Sequence, residues 1–65
     1  MGEILDYFLA QPDEVRLFIN KAVAAAGEEK AQVQVKTLIQ EKLGDRYTER
    51  QVDHLVYAAM YMAFK

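Results

Sequence analysis

Sixty-five residues with a mass of 7.5 kDa leave room for a single small domain, residues 1–65. Eight Lys and Arg against ten Asp and Glu give a net charge of −2 and a pI near 5.2, which speaks against a chain built mainly to neutralise phosphates. Cysteine, serine and tryptophan are absent and there is one histidine, so a disulfide framework, a thiolate zinc site and most nucleophilic chemistry lack their residues. The longest uninterrupted apolar run, Leu55 to Phe64, is ten residues, where a membrane span needs about twenty. Met1-Gly2-Glu3 has neither the basic start nor the apolar stretch of a signal peptide.

An apolar content of 52% is that of a globular chain. So short a domain buries only about 60% of the surface its unfolded chain exposes. Tight helix packing or self-association must supply what disulfides and metals do not.

The spacing predicts a bundle of four short helices, an all-α fold. The first covers about 3–10, with Ile4, Leu5, Phe8 and Leu9 on one stripe. About two turns cannot hold alone in water, so this helix must be docked. The second covers about 12–26. Pro12 suits a first helical position, Asp13 and Glu14 favour the positive end of the helix dipole, and Val15, Phe18, Ile19, Ala22, Val23 and Ala26 form the apolar face. Gly27 stands where a helix ends with positive φ.

The third helix covers about 28–43. It opens on Glu28 and Glu29, carries Ala31, Val35, Leu38, Ile39 and Leu43 on its apolar face, and stops at Gly44. The rival reading is one continuous helix from Pro12 to Leu43. It would bring Val33 into the stripe, put Val35 out of phase and set Gly27 inside a helix at a cost of about 1 kcal/mol. The break is favoured, with tight antiparallel turns at Gly27 and Gly44.

The fourth helix covers about 49–64. Thr48 and Gln51 form a capping box, and Tyr47 and Val52 occupy the two places of a hydrophobic staple. Val52, Leu55, Val56, Ala59 and Ala63 make one stripe, Tyr57, Tyr61 and Phe64 a second, and Met60 and Met62 fill the gaps. This helix is apolar all round from Leu55, and such a helix is normally buried on every side. Helices two and three cover two flanks; the first helix is the remaining cover within the chain.

Candidate chemistry is thin. Glu49, Asp53 and His54 lie on one turn, but three potential ligands on one exposed turn rarely close a metal site, and Arg46 and Arg50 are ordinary ion-pair partners for the carboxylates. Asp13-Glu14 and Glu28-Glu29 are accounted for by helix starts. No catalytic, cofactor-binding or metal-binding residues are assigned, and no enzyme activity is expected. Residues 1–29 carry a net −4 and residues 30–50 a net +2, from Lys30, Lys36, Lys42, Arg46 and Arg50. A small nucleic-acid-binding or regulatory helical protein using segment 30–50 is the alternative. A recognition helix should present Arg, Lys, Asn or Gln to base edges, whereas the solvent face here offers Glu49, Asp53 and His54 before turning apolar.

Aromatic residues and methionines dominate binding hot spots and adaptable grooves. The expected partner-binding set is therefore Leu5, Phe8, Leu55, Tyr57, Met60, Tyr61, Met62 and Phe64, engaging a protein partner or a second copy, with a dimer expected.

Glu28-Glu29-Lys30, then Val35, Leu38 and Leu43-Gly44, then Thr48-Glu49, Gln51-Val52-Asp53, Leu55-Val56 and Ala58-Ala59 resemble the soluble C-terminal part of the LLH family of bacteriophage holins. Lys21-Ala22-Val23 is similar as well, so the resemblance covers about residues 21–62. It implies a phage or prophage origin, a bacterial or phage-infected cytoplasm, and a membrane helix ahead of this region. Membrane association would then need a tethering segment absent from this chain, and pore formation is not carried over. Tyr57, Tyr61 and Met62 replace polar residues of the family in the last helix.

Overall fold

The computed structural model describes residues 2–64, and among them four α-helices account for the regular structure beside one short 3₁₀ turn. The helices are α1 (Gly2–Leu9), α2 (Asp13–Ala26), α3 (Ala31–Leu43) and α4 (Glu49–Phe64), with the 3₁₀ turn at Gly44–Arg46. The all-α bundle expected from periodicity is the fold observed. Its radius of gyration, 10.4 Å, is close to the roughly 10.7 Å of a folded chain this long.

Each boundary has a local cause. Pro12, at φ −57°, precedes α2 rather than opening it, and its carbonyl accepts the Val15 and Arg16 amides. Gly27 (φ 85°, ψ 163°) separates α2 from α3, so the two helices are distinct. Its N–H donates to the Val23 carbonyl, and its own carbonyl accepts from Lys30 and Ala31. Glu28, Glu29 and Lys30 thereby form the connecting turn, and α3 starts three residues later than the acidic pair suggested. Gly44 (φ 53°) ends α3 by donating to the Gln40 carbonyl. The capping box forms in full: Thr48 N–H donates to Gln51 Oε1 at 2.8 Å, and Gln51 N–H to Thr48 Oγ1 at 3.2 Å.

The core is a single apolar cluster. Phe8 comes from α1; Val15, Ile19 and Val23 from α2; Ala31, Val35 and Ile39 from α3; Val52, Leu55, Val56, Ala58 and Ala59 from α4. Among the described residues no polar or charged residue is buried. α4 is the central element, packing on all three other helices, while α1 packs chiefly on α4. The short first helix is docked where the sequence required. Two sequence expectations fail at the surface. Leu9 on the α1 stripe and Ala63 on the α4 stripe are both exposed; in α1 Phe8 is the fully buried residue, with Ile4, Leu5 and Tyr7 partly buried against the cluster.

Candidate interaction face

The face of interest is set by the period of α4. At 100° per residue, Val52, Leu55 and Ala59 point into the bundle, and Arg50, Asp53, His54, Tyr57, Met60, Tyr61 and Phe64 fall on the opposite side. That outward face is polar over its first turns and uncharged from Tyr57 to Phe64.

The structure divides the eight expected contact residues. Tyr57 (56% exposed) and Met62 (44%) stand in solvent. Leu5, Met60, Tyr61 and Phe64 are half-buried, with Leu5, Met60 and Phe64 packed against the core. Phe8 and Leu55 are corrections: at 1% and 0% exposure they are interior residues, and this fold offers neither to a partner. The expectation that α4 is greasy around its whole circumference is met, but its inner half is satisfied by α1, α2 and α3. The outer half is what remains.

A notch of about 150 Å³ indents this face, lined by Asp53, Tyr57 and Met60 of α4 and Gln32 of α3. Beside it, Lys36 Nζ lies 3.0 Å from Glu49 Oε2 and 3.2 Å from Asp53 Oδ1, an ion-pair triad between α3 and α4. The hydrogen bond to Glu49 and then that to Asp53 hold the Lys36 ammonium above its ordinary pKa. Arg46 and Arg50 were the expected partners of these carboxylates; the cation that meets them comes instead from across the helix pair. Lys36 sits opposite Glu49 and Asp53, and Gln32, one turn earlier, sits opposite Asp53, Tyr57 and Met60. α3 and α4 therefore run in opposite senses.

A second polar cluster gathers where α1 ends and the chain leads into α4. Tyr47 Oη donates to Gln11 Oε1 at 2.7 Å, Gln11 Nε2 donates to the Tyr7 carbonyl at 2.9 Å, and Arg16 Nε donates to the Gln11 carbonyl at 3.1 Å. Arg16 also pairs with Asp13. Gln11 thus fastens the end of α1 to the connection ahead of α4. Burial, and then the neighbouring Tyr47, push the Tyr7 phenol above its usual pKa.

No family model, curated protein or solved structure matches this chain. The site must be read from its own chemistry. Among the described residues no three His, Asp or Glu side chains are placed to hold a metal ion. Among the same residues no helix is long and apolar enough to cross a membrane. Of the basic segment, Lys36 is committed to the carboxylate pair, which leaves Lys30, Lys42, Arg46 and Arg50 on the exposed surface.

Sequence reasoning missed Gln32 and Gln11. Gln32 lies one turn from Lys36 on the same side of α3, so a Lys36–Asp53 pairing would have led to it. Gln11 had no such signal, because Tyr47 reaches it only when the chain closes, although Tyr7 and Arg16 are near it in sequence. Leu17 (67% exposed) and Val33 (72%) are also in solvent, but each stands apart from the α4 face on its own helix, and single exposed apolar residues are ordinary.

Proposed function

We propose that this protein is a non-enzymatic helical interaction module whose docking surface is the outward, C-terminal half of α4. One observation carries the reading: Tyr57 is exposed beside the half-buried Met60, Tyr61 and Phe64, giving an uncharged aromatic and methionine face on the helix around which the fold is organised. Aromatic side chains gain much when a partner excludes water from them, because their area is large and few rotatable bonds are frozen, and methionine's flexible thioether adapts to a partner's contour. The polar groups lie instead on exposed turns, in ion pairs and caps. The likeness of residues 21–62 to the soluble part of the LLH holins supports a phage or prophage setting. A lysis or tail cassette beside the gene supports that setting, and its absence removes it.

The test places a photo-activated cross-linker at Tyr57 and, as a control, at the still more exposed Val33 on α3. Adducts in the producing cell are expected at Tyr57 and not at Val33. With the cross-linker kept at position 57, Tyr61→Glu should abolish them while helical content by circular dichroism stays unchanged. Equal labelling at both positions, or none at Tyr57, overturns the reading.

A further inference from the structure

We infer that α1 is a hinged lid, which opens as a unit about the Gln11–Pro12 joint while α2, α3 and α4 stay folded as a three-helix body. The inference is independent of the outer face of α4 and begins with how the core is shared. α2, α3 and α4 each pack on the other two, whereas α1 has α4 as its one substantial neighbour. Of the twelve fully buried apolar residues among those described, eleven belong to the body and one, Phe8, to α1. Ile4, Leu5 and Tyr7 lie against the cluster only partly buried. Release of α1 therefore leaves the three mutual interfaces of the body in place. Parts of a fold joined by few contacts open separately, at a lower cost than global unfolding.

The backbone is divided at the same joint. Amides ahead of it bond backward into α1, Ala10 to the Asp6 carbonyl at 3.0 Å and Gln11 to the Phe8 carbonyl at 3.1 Å. The Pro12 carbonyl serves α2 instead, accepting from Val15 and Arg16. Pro12 has no N–H of its own, and among the described residues no backbone hydrogen bond spans the joint. A change of dihedral angles there frees α1 without disturbing the first turn of α2. Eight residues do not hold a helix alone in water, so release and melting of α1 are one step.

Gln11 is the latch. Tyr47 Oη donates to its Oε1 at 2.7 Å and Arg16 Nε to its carbonyl at 3.1 Å, while its Nε2 donates to the Tyr7 carbonyl of α1 at 2.9 Å. Among the described residues no ion pair ties α1 to the body. One buried ring and a few hydrogen bonds keep the lid shut, which makes the open state a minor one, on the order of 1% of molecules. That state exposes Phe8 and the apolar seat it leaves, surface that the closed chain hides.

Amide exchange on the full chain, under conditions where each rate reports an opening equilibrium, tests the lid. The Ala10 and Gln11 amides should exchange through an opening with a smaller urea dependence than that of Val23 and Val35, because less surface is exposed. Ile39→Val lies in the interior of the body. It should speed the Val23 and Val35 amides about fivefold and leave those of Ala10 and Gln11 unchanged. Tyr47→Phe removes one bond of the latch and should speed the Ala10 and Gln11 amides about fivefold. Both replacements keep most of the side chain, so the fold persists. If Ile39→Val accelerates Ala10 and Gln11 in step with the body, α1 opens only with the whole chain and the inference is overturned. Free-peptide rates at Ala10 and Gln11, or rates indifferent to Tyr47→Phe, overturn it as well, since α1 then frays without a latch.

Discussion

Phe8 and Leu9 are neighbours in sequence with nearly the same apolarity, yet the fold uses them oppositely, and this contrast gives the sharpest test of how α1 is held. Phe8 is 1% exposed and is the one residue α1 sends into the core, whereas Leu9 is 53% exposed. Truncating a buried phenylalanine to alanine costs about 3–5 kcal/mol, from lost transfer energy and the cavity left behind. A 65-residue domain has a total stability of roughly 3–10 kcal/mol, so Phe8→Ala removes a large part of the margin. Leu9→Ala, at the surface, should stay within about 0.5 kcal/mol. In urea, with a slope of about 1 kcal/mol per molar for so small a protein, Phe8→Ala should lower the midpoint by about 3 M or leave no folded baseline. Because α1 packs chiefly on α4, amide exchange should reach α1 before α2 and α3. A Phe8→Ala midpoint within 1 M of wild type, or a Leu9→Ala loss as large as that of Phe8→Ala, would refute Phe8 as the main anchor of α1.

Other outcomes follow from the connections. Gly27→Ala meets no atom within 4 Å of the new Cβ, so its cost of about 1–3 kcal/mol comes from backbone strain at φ 85° alone; a neutral thermal melt would contradict that conformation. Tyr47→Phe and Gln11→Ala should each cost about 1 kcal/mol, and the double variant less than their sum, because both remove the same hydrogen bond. Strict additivity in denaturant titrations would mean the bond contributes nothing. Tyr7 and Lys36 both have folded pKa values raised above their ordinary 10.0 and 10.5. The folded state therefore binds more protons between the unfolded and folded values. The stability these groups contribute is complete below the unfolded values and is lost as pH climbs through the folded ones. Wild-type stability should decline from about pH 10 upward, with a shallower slope for Tyr7→Phe; an unchanged slope would place the Tyr7 phenol in water.

The helices were legible in the chain because each is specified by neighbours in sequence. The Thr48–Gln51 box, the glycines at 27 and 44 and the apolar periods of α2, α3 and α4 all act within a few residues, and the observed boundaries follow them closely. The late start of α3 is the exception. Two glutamates favour a helix N-terminus wherever one forms, but the left-handed Gly27 spends its carbonyl on a turn first, and that geometry is not encoded in charge.

The apolar nature of α4 was likewise plain from Leu55 to Phe64, since composition alone dictates that such a helix seeks cover. Which half finds it was not. Three helices converge on one side of α4 and bury Leu55, while the opposite side keeps Tyr57 in solvent, and Phe8 turns inward beside an exposed Leu9. Those outcomes, with the Lys36 triad and the Tyr47–Gln11 hydrogen bond, depend on pairs far apart in sequence that meet only after closure. Local hydrogen bonding and periodicity determine the elements; the order in which their faces are buried is decided by packing, which is a property of the whole chain.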